Sequence, residues 1–193
     1  MPMTQRQALE VLLPLRGERI VVTTMSSAGI WPTLSQSPLD FAYIPSAMGH
    51  GPSLGLGLAL AQPERGVIVV NGDGCQLMSL GNLATLAQQP ANIFVIVLDN
   101  GQYEVTGGQP HAGTGRVDYA AVARAVGVRR TYTFTNLASW QAGAADALLG
   151  PGPIVIDLKV EALPNQKTPK PPRPMAEQIR RLQGALSGAG ILQ

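Results

Sequence analysis

The sequence predicts an α/β fold: a doubly wound, mainly parallel sheet with helices on both faces. Short apolar runs rich in β-branched residues alternate with helical patterns along the 193 residues. These runs are continuously apolar, which is typical of strands buried on both faces. With 45% hydrophobic residues, the chain can bury the core that one domain of this length needs.

Local signals position the elements in order. Thr4 and Gln7 have capping-box spacing and begin the first helix. Pro52 begins an Ala, Leu and Gly-rich helix, at a position where helices tolerate proline. The remaining elements follow from apolar periodicity. The predicted helices span 4–14, 28–36, 52–61, 76–88, 118–126, 136–149 and 175–187, and the predicted strands span 20–24, 41–44, 67–71, 93–98, 129–133 and 154–158.

Proline content divides the chain. Residues 1–160 form the predicted domain, and 161–174 form a linker, because five prolines and three basic residues lie between Pro164 and Pro174. Residues 175–193 contain the last helix, which we expect to pack on the domain or on a partner. Its amphipathic pattern places Ile179 and Leu182 on one face.

Composition excludes several classes of protein. The net charge is only +2 and the basic residues are scattered, so we expect no nucleic-acid binding. The longest apolar run has six residues, too few to cross a membrane, and Arg6 and Glu10 interrupt any secretory signal. Cys75 is the sole cysteine, which excludes an internal disulfide. We expect a soluble, cytoplasmic protein.

Charged residues make up 13% of the chain, against about 25% in typical domains. This deficit favours a surface covered by another subunit, although a low-charge monomer has the same composition.

Gly and small polar residues follow four predicted strands, at the edge where parallel sheets bind ligands. Gly72-Asp73-Gly74 places a carboxylate at one strand tip, and Asn100 follows 27 residues after Asp73, at the tip of the next strand. Two such oxygen ligands can share one Mg²⁺ that also binds a phosphate. Alone, Gly-Asp-Gly is also typical of a tight turn with Asp73 as helix N-cap.

The motif Gly72-Asp73-Gly74 through Asp99-Asn100 resembles the cofactor motif of the thiamine diphosphate-dependent enzymes. The resemblance implies Mg²⁺ bound by the side chains of Asp73 and Asn100 and by the main-chain oxygen of Gln102. It places the diphosphate against the Gly74 and Cys75 amides and the N-terminus of a helix from about residue 76. Many family members have serine where this chain has Cys75.

The stretch 45–51 resembles the family loop that holds the cofactor rings. The resemblance makes Met48, followed by Gly49, the residue wedged beneath the bent cofactor, and makes the Ser46 carbonyl the acceptor of its 4′-amino group. Ser26 and Ser27 fall where the family contacts the diphosphate. The alternatives are a core methionine at Met48 and a helix cap at the two serines.

Within the family, the chain is similar to the phosphonopyruvate and sulfopyruvate decarboxylases, through 21–24, 46–50 and 107–110. The resemblance implies an enzyme that decarboxylates a small anionic 2-oxo acid and releases an aldehyde. His50, a candidate catalytic residue with Met48, and His111 flank the expected site, where either can meet the substrate. Each is equally compatible with a solvated loop histidine.

In this family, a glutamate from a pyrimidine-binding domain activates the cofactor, and the chain shows no recognisable motif of that domain. The resemblance therefore implies a pyrimidine-domain (α-type) partner subunit, with self-association as well. The alternatives are an acetolactate synthase-like or 2-oxo acid oxidoreductase subunit, or a non-catalytic domain of the same fold. One cysteine argues against an iron–sulfur cluster, and no G-x-G-x-x-G follows the first strand.

The predicted loop after Asn100 contains five glycines between Gly101 and Gly115. A loop of this length is typical of a functional lid, although a flexible surface loop has the same composition. We expect it to be mobile without cofactor, and cofactor and partner to fix it with Gln109 and His111 toward the substrate.

Overall fold

Six parallel strands form one sheet in the computed structural model, which describes residues 3–45, 48–163 and 167–187. Two further short strands form a separate antiparallel ribbon. The strands are β1 (Ile20–Thr23), β2 (Asp40–Ala42), β3 (Val67–Gly72), β4 (Ile93–Asp99), β5 (Gln102–Tyr103), β6 (Gln109–Pro110), β7 (Arg130–Phe134) and β8 (Ile154–Lys159). The ribbon consists of β5 and β6 and follows β4 in the chain.

Eight α-helices connect the strands of the described chain or flank them. They are α1 (Gln5–Leu12), α2 (Ser27–Ile30), α3 (Gly51–Ala61), α4 (Asp73–Met78), α5 (Gly81–Ala87), α6 (Tyr119–Ala125), α7 (Leu137–Ala147) and α8 (Met175–Ser187). The predicted capping box at α1 is confirmed, since the Thr4 side chain accepts from Gln7 N–H and the Gln7 side chain accepts from Thr4 N–H.

The strand order β2-β1-β3-β4-β8-β7 makes the fold doubly wound, as the sequence predicts. From β1 the chain moves outward to β2, and it then returns to place β3 on the other side of β1. This reversal creates a topological switch point between β1 and β3. Ligands in open α/β sheets bind outside the carboxyl ends of the strands at such a point.

Alternate residues of the central strands enter two hydrophobic cores, one on each face of the sheet. In β3, Val67 and Val69 pack into the first core and Ile68 and Val70 into the second. Helices α3, α5, α6 and α8 contribute to the first core, and α1 and α7 contribute to the second. Both faces are therefore covered, which explains the continuously apolar strands.

Two predicted elements differ from the structure near the carboxyl edge. The predicted helix over 76–88 is two helices, α4 and α5, because Ser79 leaves helical geometry at φ −141° and ψ 50°. The helix after β3 thus begins at Asp73 rather than near residue 76. The predicted loop over 100–116 contains the β5–β6 ribbon and a 3₁₀ turn, Glu104–Thr106.

Helix α8 packs against the edge strand β2, where Gln178 Oε1 accepts the Ala42 N–H at 2.9 Å. Leu182 enters the first core, but Ile179, which the amphipathic pattern places on the same face, is 42% exposed, so that face does not by itself orient the helix. The buried polar contact of Gln178 sets the rotation of the helix instead. The division into domain, linker and terminal helix stays a prediction, and 164–166 and 188–193 lie outside the described residues.

No helix in the described part of the chain is long and apolar enough to cross a membrane.

Candidate functional site

A cleft with about 360 Å³ of empty space opens at the carboxyl edge of the sheet, beside the switch point. Its walls come from the turn after β1, the loop before α3, the β3–α4 junction and the segment after β4. The lining residues are Met25, Ser26, Met48, Gly72, Asp73, Gly74, Cys75, Leu98, Asn100, Gln102, Tyr103, Glu104, Val105 and Thr106. Most of the site residues expected from the sequence therefore lie around one cleft.

Asp73 is the most constrained polar group of the cleft, with 2% exposure. Its Oδ1 accepts the Gly74 N–H at 2.8 Å, and its Oδ2 accepts the Gly101 N–H at 2.6 Å and contacts His111 Nε2 at 3.0 Å. The N-cap of α4 is Gly72, so the alternative role of Asp73 as N-cap is wrong. The carboxylate is held in one orientation, and Oδ1 keeps more free accepting capacity than Oδ2.

Burial raises the pKa of Asp73 to about 6, and the nearby Asp99 side chain adds to the shift. The charged form is therefore costly at this buried position. A cation bound beside it would stabilise the carboxylate, and this is the electrostatic property expected of a metal ligand.

Asn100 and Gln102 lie across the cleft from the β3–α4 junction. Asn100 Oδ1 accepts the Gln102 N–H at 2.9 Å, which fixes the turn that leads from β4 into β5. They line the same cleft as Asp73, and the three residues carry a carboxylate, a carboxamide and a main-chain carbonyl. The described residues contain no cluster of three His, Cys, Asp or Glu side chains that could bind a metal. This oxygen donor set fits Mg²⁺, which keeps several water or phosphate ligands.

The glycines on either side of Asp73 differ in their surroundings. A Cβ at Gly72 would meet no atom within 4 Å, so bare backbone borders the cleft there. A Cβ at Gly74 would lie 2.5 Å from the Tyr103 ring, so Gly74 allows the ribbon to pack on α4. The Gly74 N–H is already bonded to Asp73. Burial raises the pKa of the Cys75 thiol, which makes it a poor nucleophile.

The loop before α3 reaches the cleft through Met48, which is half-buried. Gly49 has φ +88°, and a Cβ there would lie 2.6 Å from Ser79 Oγ, so a glycine is required. His50 is exposed and does not line the cleft. Ser46 lies outside the described residues.

A chain of hydrogen-bonded polar side chains, buried except for the half-buried Asn82, supports this loop, and sequence reasoning missed it. Thr24 Oγ1 donates to Asn71 Oδ1 at 2.9 Å, and Asn71 Nδ2 donates to Gln76 Oε1 at 3.2 Å. Gln76 Nε2 donates to Asn82 Oδ1, and Asn82 Nδ2 donates to the Gly49 carbonyl at 3.1 Å. The sequence signal for this network was the presence of polar residues within otherwise apolar elements.

The two serines after β1 have different surroundings. Ser27 is buried, and its hydroxyl donates to the Thr24 carbonyl at 2.6 Å and accepts the Thr24 N–H at 3.2 Å. Ser26 lines the cleft, and its side chain makes no capping hydrogen bond to α2. Ser26 is thus free to meet a ligand, whereas Ser27 holds the turn after β1.

The β5–β6 ribbon brings further residues to the site. His111 is buried and contacts Asp73, and its ring packs against the ring of Tyr103 with the two centroids 5.5 Å apart. Glu104, which lines the cleft, accepts from Gln5 Nε2 and from the Leu163 N–H, each at 2.7 Å. Both carboxylate oxygens of Glu104 are therefore occupied. The sequence signal for Tyr103 and Glu104 was only their position after Asn100.

Behind the cleft, Lys159 donates to both Asp99 and Asp157. Asp157 is fully buried, and burial raises its pKa to about 6. Burial lowers the pKa of Lys159, but its hydrogen bonds to Asp99 and Asp157 outweigh that effect and raise it overall. Lys159 therefore remains charged and compensates two carboxylates beneath the site.

Comparison with known proteins relates this cleft to a family. Residues 23–158 match the family model described as "Thiamine pyrophosphate enzyme, C-terminal TPP binding domain". The match covers more than half of the chain and includes β2, β3, β4 and the residues around Asp73 and Asn100.

Curated relatives agree with this match. The chain is 41% identical over 160 residues to phosphonopyruvate decarboxylase from Streptomyces viridochromogenes, covering 81% of the chain and 40% of the relative. It is 45% identical over 97 residues to sulfopyruvate decarboxylase subunit beta from Methanothermobacter thermautotrophicus, covering 49% of the chain and 50% of the relative. The matched segments thus span half or less of these two relatives.

A solved structure shares the fold, and a more distant sequence relative also matches. A thiamin diphosphate-dependent enzyme from Mycobacterium smegmatis superposes with a TM-score of 0.69 at 27% identity, covering 84% of this chain and 32% of that chain. Acetolactate synthase isozyme 1 large subunit from Escherichia coli is 27% identical over 125 residues, covering 60% of the chain and 22% of that relative.

Proposed function

Because the chain belongs to the thiamine pyrophosphate enzyme family, through its C-terminal TPP-binding domain, we propose that it binds thiamine diphosphate (thiamine pyrophosphate) and Mg²⁺ in the cleft. We propose further that it is the diphosphate-binding part of a 2-oxo acid decarboxylase. One observation carries the proposal: Asp73, Asn100 and Gln102 all line one cleft beside the switch point.

In this proposal, Mg²⁺ is bound by the side-chain oxygens of Asp73 and Asn100 and by the main-chain oxygen of Gln102. Asp73 would use Oδ1, because Oδ2 already has two hydrogen-bond partners. Burial makes the charged form of the Asp73 carboxylate costly and raises its pKa to about 6. A cation at this position would offset that cost, which supports the proposed metal site.

The diphosphate would lie along the bare backbone of Gly72, near Gly74, Cys75 and Ser26. Ser27 would act indirectly, through the turn that presents Ser26. Bound thiamine diphosphate supplies a carbon nucleophile and an electron sink for decarboxylation of a 2-oxo acid.

The opposite wall would hold the rings of the cofactor. Met48 supplies an apolar contact from a loop whose shape depends on Gly49 and on the polar chain beneath it. The Ser46 carbonyl is the proposed acceptor of the 4′-amino group. His50 is exposed beside this loop, where we propose that it meets the incoming substrate.

We propose a small 2-oxo acid with a second anionic group as substrate. The support is the 41% identity to a phosphonopyruvate decarboxylase and the 45% identity to a sulfopyruvate decarboxylase subunit. Carboligation, as in an acetolactate synthase, is a second candidate that the similarity to the E. coli large subunit favours. The product distinguishes them: an aldehyde in the first case and a 2-hydroxy-3-oxo acid of the acetolactate type in the second.

We propose that a pyrimidine-domain partner supplies the glutamate that activates the cofactor, with self-association of this chain in the same assembly. The name "subunit beta" of the sulfopyruvate decarboxylase relative supports a second kind of subunit. Glu104 is the one glutamate that lines the described cleft, and both of its oxygens are occupied. It is therefore a poor candidate for that role.

The test is calorimetric titration of thiamine diphosphate with and without Mg²⁺, on the chain alone and mixed with a pyrimidine-domain partner. Asp73→Asn should abolish Mg²⁺-dependent binding, because the amide lacks the charge that the metal requires. Asp146→Asn, at an exposed aspartate of α7, is the matched control and should bind as the parent does. Equal binding by Asp73→Asn and the parent would refute the assignment.

Activity is tested separately with phosphonopyruvate, sulfopyruvate and pyruvate, by measuring released CO₂ and the organic product. The complex with the partner should release CO₂ and aldehyde, and the chain alone should show negligible turnover. Full turnover by the chain alone would contradict the role of the partner.

A further inference from the structure

His111 and Asp73 form a buried pair that joins the β5–β6 ribbon to the β3–α4 junction. Their side chains are 1% and 2% exposed, and His111 Nε2 lies 3.0 Å from Asp73 Oδ2. The residues are 38 positions apart in the sequence. His111 does not line the cleft, so a substrate bound there would not reach it. Its contact with Asp73 therefore needs a different explanation.

The hydrogen bonds of the imidazole assign its tautomer. The Gly113 N–H donates to Nδ1 at 3.1 Å, so Nδ1 has no proton. The ring proton is then on Nε2, which donates to Asp73 Oδ2. A Cβ at Gly113 would lie 3.3 Å from Nδ1, so the glycine permits this close approach of backbone and ring.

The two donors to Asp73 Oδ2 are connected to each other. Gly101 N–H donates at 2.6 Å, and the Gly101 carbonyl accepts from Thr114 Oγ1, also at 2.6 Å. Thr114 Oγ1 in turn accepts the His111 N–H at 3.0 Å. Asp73, Gly101, Thr114 and His111 thus form a closed ring of hydrogen bonds around one carboxylate oxygen.

We propose that His111 is a positioning residue for the metal site: its Nε2–H holds Asp73 so that Oδ1 faces the cation, and it makes metal binding depend on the folded ribbon. This inference rests on the proposed function. Oδ2 is saturated by two donors, and Oδ1, which has one, is left for Mg²⁺. Partners of metal ligands that act in this way commonly change metal affinity by 10–100-fold when they are removed.

Two substitutions separate the hydrogen bond from the volume of the ring. His111→Gln keeps an N–H donor at a similar distance from the backbone, whereas His111→Leu fills the space without a donor. Trp140→Phe is the matched control, because it removes a buried donor on α7, whose Nε1–H binds the Ala8 carbonyl at 3.0 Å. Loss of that bond lowers stability without touching the cleft.

Binding of Mn²⁺, a spectroscopic substitute for Mg²⁺, is measured by electron paramagnetic resonance at saturating thiamine diphosphate, with the pyrimidine-domain partner present. His111→Leu should weaken Mn²⁺ binding by roughly tenfold, and His111→Gln should restore it to within about threefold of the parent. Trp140→Phe should bind Mn²⁺ as the parent does. Thermal melting confirms that each variant is folded at the temperature of the titration.

Nitrogen-15 shifts of the imidazole in the full chain provide a readout that needs no cofactor, and they should show the Nε2–H tautomer for His111. An Nδ1–H tautomer would overturn the proposal, as would equal Mn²⁺ affinity in the parent and His111→Leu. Equal weakening in His111→Leu and His111→Gln would assign the effect to packing and would also overturn it. Absence of Mn²⁺ binding by the parent would instead refute the proposed function, and this inference with it.

Discussion

The phenol of Tyr119 donates a hydrogen bond to the main-chain carbonyl of Asp73 over 3.0 Å. Tyr119 is the first residue of α6 and is 1% exposed, and its own N–H donates to Asp157 Oδ2 at 3.2 Å. One residue thus joins the end of β3 to β8, across the intervening strand β4. Burial raises the pKa of Tyr119, so the phenol remains protonated and keeps its donor.

Tyr119→Phe should lower the free energy of unfolding by about 1 kcal/mol, because one buried hydrogen bond is lost. It should also weaken Mg²⁺ binding by several-fold, since the Asp73 backbone loses an anchor. Urea denaturation and calorimetry measure the two effects. Tyr132→Phe is the control: Tyr132 is half-buried in β7, away from the cleft, and its hydroxyl accepts only a 3.3 Å contact from Arg130. Equal metal affinity in Tyr119→Phe and the parent would contradict the prediction.

Metal binding should depend on pH through Asp73. Burial and the Asp99 side chain raise the pKa of Asp73 to about 6 in the metal-free protein. A cation binds the deprotonated carboxylate, so binding releases a proton below that pH and the affinity falls as the pH falls. We expect constant Mg²⁺ affinity above about pH 7 and a decrease approaching tenfold per pH unit below about pH 6.

Calorimetry from pH 5 to 8, in buffers of different ionisation enthalpy, measures both the affinity and the released protons. Titration of Mg²⁺ into thiamine diphosphate without protein is the control, because the cofactor itself binds protons and metal. An affinity that stays constant between pH 5 and 7 after this correction would show that Asp73 is not the titrating ligand.

The sequence predicts the fold because each face of the sheet carries its own apolar pattern. Val67 and Val69 pack on one face of the sheet, and Ile68 and Val70 pack on the other. All four are apolar, so the strand is a continuous apolar run in the sequence, as expected for a sheet covered on both faces. The orientation of α8 could not be predicted in this way. It depends on the bond from Ala42 N–H to Gln178, which joins residues 136 positions apart.

The candidate site likewise has one part that the sequence could predict and one part that it could not. Asp73 and Asn100 could be placed from their spacing, because both follow neighbouring strands and the carboxyl ends of parallel strands share an edge. The position of His111 depends on the pairing of Tyr103 with Gln109 in the ribbon, and two-residue strands have no sequence period. The position of His111 is therefore determined by hydrogen bonds between residues distant in the sequence, and not by a local sequence pattern.

Lys159→Met should destabilise the protein by about 3 kcal/mol at pH 7.5, because Asp157 and Asp99 lose their shared cation while Asp157 stays buried. The sign of the pH effect follows from Asp157, whose pKa burial raises to about 6 even with Lys159 present. Between about pH 4 and that value the folded state holds more protons than the unfolded state, so its stability falls as the pH rises. The variant raises this pKa further, so its deficit should shrink at pH 5.

Urea denaturation of the parent and Lys159→Met at pH 5 and 7.5 checks this prediction. The double variant Asp157→Asn with Lys159→Met is the control, and it should regain much of the stability at pH 7.5 because the buried charge is gone. A deficit of equal size at both pH values would mean that packing of the lysine stem, rather than its charge, is responsible.

Segment 101–115 should become protected from hydrogen exchange when Mg²⁺ and thiamine diphosphate bind in the complex with the partner. Three of its amides already have acceptors at the site: Gly101 N–H binds Asp73, Gln102 N–H binds Asn100 and Gly113 N–H binds His111. A cation on Asp73 and Asn100 would stabilise both acceptors in place and raise the free energy of local opening.

Mass spectrometry of deuterium uptake, with and without ligands and partner, should show slower exchange over 101–115. Strand β7, on the far edge of the sheet, serves as the internal control, and its uptake should not change. Asp73→Asn should abolish the protection that depends on Mg²⁺, because the cation that joins the two sides of the cleft is absent. Unchanged exchange of this segment in the complete complex would leave it a flexible surface loop and would contradict its role as a lid.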